Sequence, residues 1–212
     1  MLSNILEILG FLLAICCALF SYKRREGALF AFLLFDAWVF EWVVLTLLGE
    51  VSYSQSFLLR VFNIPVFVIC GWAVMIYSFM HVFSQYKNTF GKAVLIATLM
   101  VTIDFFLDPI AVRLGLWTWV HPQGFFGIPY NNFFGWFSYS FLMVAGVQYL
   151  YAFKNTKSLL YIFLFVSFIG LGVGLVWYNI PLAVQKYLWW TGYSLAFIYS
   201  FKIVFGRSIY SR

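Results

Sequence analysis

The 212-residue chain is 64% hydrophobic and 9% charged, with a net charge of +6. A soluble domain carries about 25% charged residues, so a soluble globular fold is excluded. The basic residues lie between apolar runs, where membrane proteins carry their orientation signals, so the positive charge does not point to nucleic acid.

The apolar runs approach about 20 residues, enough to cross roughly 30 Å of hydrocarbon. They are continuous rather than alternating, which selects helices over a β-barrel. The first, 4–22, has no basic stretch before it and is followed by Lys23, Arg24 and Arg25. It therefore reads as a retained helix rather than a cleaved signal. Further spans are expected at 28–48, 60–83, 90–108, 132–153, 158–178 and 183–205. Of the 13 Lys and Arg residues, all but Arg60, Arg113 and Lys186 fall on one set of alternate loops. That bias places the C-terminus in the cytoplasm and the N-terminus outside. The expectation is an all-α integral membrane protein of the cell membrane, with seven transmembrane helices in one domain over 1–212. The connection 109–131 between helices 4 and 5 is then an aromatic lid on the non-cytoplasmic side.

An internal repeat supports this order. Ile64-Pro65 and Gly71-Trp72 recur as Ile128-Pro129 and Gly135-Trp136, and Tyr53 falls on Trp117, each 64 residues on. A weaker third copy begins at Asn179-Ile180-Pro181. Each copy sets a proline at the outer start of a descending helix, where its missing N–H costs nothing. Helical hairpins 2–3, 4–5 and, on the weaker copy, 6–7 follow. Gly170, Gly172 and Gly174 in helix 6 predict close helix packing. Cys16, Cys17 and Cys70 lie in apolar runs with no metal-ligand spacing and read as small packing residues.

Glu7, Glu26 and Glu50 sit near helix ends and read as solvated. Asp36, Glu41, Asp104 and Asp108 fall within or at the edge of spans. An ionisable group at bilayer depth costs about 3 kcal/mol and is a functional candidate by default. Glu41 lies in the outer half of helix 2; Asp104 and Asp108 are one turn apart on helix 4 and share a face. With Asn63, Asn131 and Asn132 at helix starts, these groups are expected to converge on an outer-leaflet cavity. Glu41 has no basic partner in its own half, a setting that favours the protonated acid a general acid must be. Asp36, deeper and on another face, reads as structural. Asp108 before Pro109 is equally well explained as a helix cap, and Asp104 as an ion pair with Arg113. His81 and His121 read as interfacial.

Trp117, Trp119, Phe125, Phe126 and Tyr130 crowd into the outer connection beside the carboxylates. Aromatic faces next to an acid suit a long apolar polyene and stabilise a carbocation, although Trp117 and Trp119 are also what an interfacial belt requires.

Asp108-Pro109, Leu114-Gly115-Leu116-Trp117-Thr118-Trp119 and the run Gly127 to Trp136 (GIPYNNFFGW) resemble membrane carotenoid hydratases of the bisanhydrobacterioruberin hydratase type. Glu41, Tyr53, Ile64-Pro65 and Gly71-Trp72 are similar to that family's upstream half, so the match covers about 36–140. Where the family has a Gly-rich aromatic stretch after its helix 2 glutamate, this chain reads Leu47-Leu48-Gly49-Glu50-Val51-Ser52-Tyr53. The related heterodimeric lycopene cyclase domains carry paired glutamates where this chain has Asn131-Asn132, which favours hydration over cyclisation.

The resemblance implies a cofactor-independent hydratase acting on an acyclic carotenoid end. Glu41 or Asp104 would protonate the terminal double bond, with the cation against Trp117, Trp119 or Tyr130. Water held by Asp108, Asn131 or Asn132 would then add. Asn63, Phe126 and Trp136 complete the expected substrate wall, with Asp36 and Arg113 in support. The partners implied are a lipophilic polyene and the bilayer. A proton-initiated cyclase shares the first step. A small proton-coupled transporter shares the seven spans, but requires a polar route to the cytoplasmic face, where the sequence offers little beyond His81 and Asp36.

Overall fold

A computed structural model describes residues 2–150 and 156–209. The end of the expected fifth span at 151–153 and the basic residues Lys154 and Arg212 lie outside the described residues. The fold is mostly helical: α1 (Leu2–Lys23), α2 (Gly27–Trp42), α3 (Val66–Val82), α4 (Thr89–Arg113), α5 (Tyr130–Leu150), α6 (Thr156–Tyr178) and α7 (Leu182–Ile209). All seven expected helices form. By length and composition, α1, α2 with its extension to Leu48, α4 and α6 can each cross a membrane. Among the described residues only 12% of the apolar window of α6 is buried, which suits a helix in contact with lipid.

Two expected boundaries move. The third helix begins at Val66 rather than near 60, because Arg60–Val61 (β2) and Ile64–Pro65 (β3) form a small antiparallel pair. The fourth helix continues through Asp108 and Pro109 to Arg113. Asp108 is therefore inside a helix, and the cap expected there is not formed. The α4–α5 connection is thus 114–129, and it contains β4 (Trp117–Trp119).

The repeat has a structural counterpart. Phe62 and Asn63 have φ of 50° and 68°, and Phe126 and Gly127 have φ of 52° and 82°. Each is a two-residue turn closed by a pair, Val61 with Ile64 and Phe125 with Ile128. Positive φ at both central positions marks the type I′ hairpin turn. Each turn is followed by Ile-Pro and then a helix, and Pro181 likewise immediately precedes α7.

The chain divides into two compact units. One comprises residues 1–81 and 108–122, the other 82–107 and 123–212. In the first, α1 packs on α2, and β1 (Val51–Tyr53) pairs antiparallel with β4, setting Tyr53 opposite Trp117. In the second, α5 packs on α6 at Gly146, where a Cβ would lie 3.1 Å from Ile162. That is where the close helix approach occurs. Of the α6 glycines, Gly170 meets Leu142 of α5, 3.8 Å from a built Cβ, whereas among the described residues nothing lies within 4 Å of one at Gly172 or Gly174, so the packing expected of the three is found at Gly170 alone.

Candidate active site

Within the first unit, the polar centre is Glu41. It sits at the last turn of regular α2, before the chain widens into a π-helical turn, Val43–Leu48. The residue is only 6% exposed. Trp72, one turn and a half into α3, donates its Nε1–H to Oε1 at 2.6 Å, and Tyr53 of β1 donates its hydroxyl to Oε2 at 2.6 Å. Both bonds are at the short end for their kind. Each carboxyl oxygen thus has one neutral side-chain partner, and among the described residues no cation pairs with Glu41. Pairing of β1 with β4 brings Trp117 edge-on to Tyr53, with ring centroids 6.0 Å apart. Phe40 lies edge-on to Trp72 at 5.4 Å. The result is a carboxyl set among rings, with two hydrogen bonds and, among the described residues, no counter-ion.

Asp36 and Asp108 are also buried in this unit. Trp119 is half-buried on the same ribbon, and its indole N–H has no hydrogen-bond acceptor among the described residues. Arg113 is exposed at the end of α4. Asn63 is exposed in its turn. The left-handed backbone there explains the asparagine, and its expected place at a helix start does not hold.

Within the second unit, Asp104 of α4 is fully buried and accepts a 2.7 Å bond from Asn132 Nδ2. Asn131 turns instead to α6, its Oδ1 accepting from Trp177 Nε1 at 3.0 Å. The two asparagines therefore have different jobs. Tyr130 and Trp136 are buried, while Phe126 is 76% exposed at the tip of its turn. The rings beside Asp104 centre on Phe105, which meets Phe133 at 4.7 Å, Tyr193 at 5.1 Å and Trp190 at 5.7 Å. The α7 residues Trp190 and Tyr193 were not anticipated, because no motif marks them.

Two further glutamates depart from expectation. Glu7 is 2% exposed and accepts the backbone N–H groups of Leu58 and Leu59. Glu26 accepts from Tyr77, His81 and Arg24, all on Oε2. Burial opposes its charge, yet the Tyr77 hydroxyl, the charge and hydrogen bond of His81 and the charge of Arg24 together hold the carboxyl below its ordinary value. Neither is a solvated surface group. Among the described residues no group of His, Cys, Asp and Glu is arranged to hold a metal.

A family model for the carotenoid biosynthesis protein matches residues 3–182. The chain belongs to the carotenoid biosynthesis protein family. The matched stretch takes in α1 to α6 and both buried acid clusters, Glu41 with Tyr53 and Trp72, and Asp104 with Asn132. No curated protein and no solved structure matches the chain. Family membership gives it a role in carotenoid biosynthesis, and the resemblance read from the motifs holds at that level.

Proposed function

We propose that this family member is a carotenoid hydratase. It adds water to the terminal double bond of an acyclic end group without a redox or nucleotide cofactor. The observation that carries this reading is Glu41: a buried carboxyl with two neutral hydrogen-bond donors, no cation among the described residues, and aromatic walls from Trp72, Tyr53 and Trp117. An acid so placed supplies a proton to an alkene, and the ring faces stabilise the tertiary cation that follows. Water then adds to the cation and returns a proton to the carboxylate, leaving a tertiary alcohol. Asp104, bonded to Asn132, is the other candidate proton donor, and Asp108 is a candidate to hold the water.

The polyene arrives from the bilayer. On this reading seven helices cross the cell membrane with the N-terminus outside, and Glu41 works in the outer half. Cells making lycopene and this protein should accumulate hydroxylated pigment. Glu41→Gln should cut its formation by about 10² to 10⁴, the contribution of a positioned acid. Undiminished hydroxylation in both Glu41→Gln and Asp104→Asn removes the assignment. An isomeric product of unchanged mass would show cyclisation instead.

A further inference from the structure

The bonds to Glu41 settle more than that it is buried. An indole N–H only donates, so the oxygen it holds, Oε1, must act as acceptor. When Glu41 is protonated, its proton therefore belongs on Oε2. The partner of Oε2 is the hydroxyl of Tyr53 at 2.6 Å, and a phenol can both accept and donate. Among the described residues Glu41 makes these two side-chain bonds. Trp72 is 2% exposed and closes one side of the carboxyl. Tyr53 stands on the other side, carried by the strand whose partner presents Trp117.

We infer that Tyr53 is a catalytic residue of the same site, passing the Glu41 proton to the substrate, and that Trp72 is the positioning residue that fixes which oxygen carries it. This rests on the hydratase reading. The Tyr53 O–H bond breaks as its proton bonds to the less substituted alkene carbon. The Oε2 proton moves at the same time to the Tyr53 oxygen. Glu41 becomes a carboxylate, Tyr53 stays neutral, and the charge appears as a tertiary carbocation beside the rings. Water bonds to the cation through oxygen. The oxonium then gives up a proton to Tyr53 as the phenolic proton returns to Oε2, which restores both groups.

Three measurements on the full chain in membranes decide it, with lycopene as the probe. Tyr53→Phe keeps the ring and the ribbon but removes the relay, and hydration should fall about 100-fold; a rate within twofold of the wild type overturns the inference. In the unaltered protein, the hydration rate in mixtures of light and heavy water should curve with deuterium fraction, as two protons moving together require. A linear dependence overturns the inference even where the variant does not fold. Infrared difference spectra should show one protonated carboxyl band that is lost in Glu41→Gln and shifted in Tyr53→Phe and Trp72→Phe. This band does not need turnover. If the wild type leaves lycopene unchanged, the hydratase reading fails, whereas a band unmoved by Tyr53→Phe refutes the proton placement itself.

Discussion

Glu7 and Glu26 show how differently a carboxylate is used at the two ends of α1. Glu7 satisfies two consecutive backbone N–H groups of the 54–62 segment, and a buried donor left without a partner costs roughly 1–3 kcal/mol. Glu7→Ala should therefore lower the thermal midpoint of the detergent-solubilised protein by several degrees, with Glu7→Gln, which keeps one acceptor, falling between it and the wild type. Glu26 acts through charge. Its carboxyl titrates below its ordinary value when folded, so its stabilising contribution is complete above the ordinary glutamate range and is lost as pH falls through the folded value. The two ring nitrogens of His81 meet the Tyr77 carbonyl and Glu26, each at 2.9 Å. Thermal midpoints measured from pH 7 down to pH 3 should show a steeper acid decline in the wild type than in Glu26→Gln. Parallel curves would mean that the cluster contributes nothing.

At the scale of elements, the two type I′ turns share a backbone and a leading phenylalanine but differ at the second position: Asn63 in one copy stands where Gly127 stands in the other. Both residue types enter the left-handed region at small cost, whereas a β-branched side chain there costs about 1–2 kcal/mol. Asn63→Gly should leave stability and pigment formation unchanged, and Asn63→Val should lower the thermal midpoint. Gly124 gives a sharper contrast with Gly172. A Cβ at Gly124 would lie 2.3 Å from the Ile128 carbonyl oxygen, while nothing lies within 4 Å of one at Gly172. Gly124→Ala should disrupt the connection that leads into α5 and reduce folded yield on size-exclusion chromatography, and Gly172→Ala should not.

These local features were the legible ones. A proline after a turn marks a helix start by steric and hydrogen-bonding rules that need no tertiary contact, and Pro65, Pro129 and Pro181 all do so. Asp108 is the opposite case, because a proline inside a helix looks, in sequence, like its end, whereas α4 runs on through Pro109. The partners of Glu41 come from 12 and 31 residues away, and Glu7 from 51 residues before Leu58. No periodicity reports such contacts. The repeat marks Trp72 and Tyr53, but it carries no sign that both bond to one carboxyl.

At the scale of the whole molecule, orientation depends on the basic residues. Lys and Arg resist transfer across the bilayer and are retained on the cytoplasmic side. The α1–α2 turn with Lys23, Arg24 and Arg25 and the α3–α4 turn with Lys87 should therefore lie inside. The strand-bearing 49–65 and 114–129 connections and the α6–α7 turn should lie outside. On the hydratase reading this orientation decides where Glu41 works, since α2 runs from the Arg25 end toward β1 and would bring the carboxyl near its outward end. Gln55, Lys87 and Lys186 are exposed and suit single-cysteine reporters after Cys16, Cys17 and Cys70 are replaced by alanine. A membrane-impermeant maleimide applied to intact cells should label Gln55→Cys and Lys186→Cys, and should reach Lys87→Cys only after permeabilisation. The reverse pattern would turn the protein over and put Glu41 near the cytoplasmic surface, so the acid would have to draw its proton from the opposite side of the membrane. Gln55→Cys outside with Lys186→Cys inside would mean an odd number of crossings between them, in place of the four that α3 to α6 would supply.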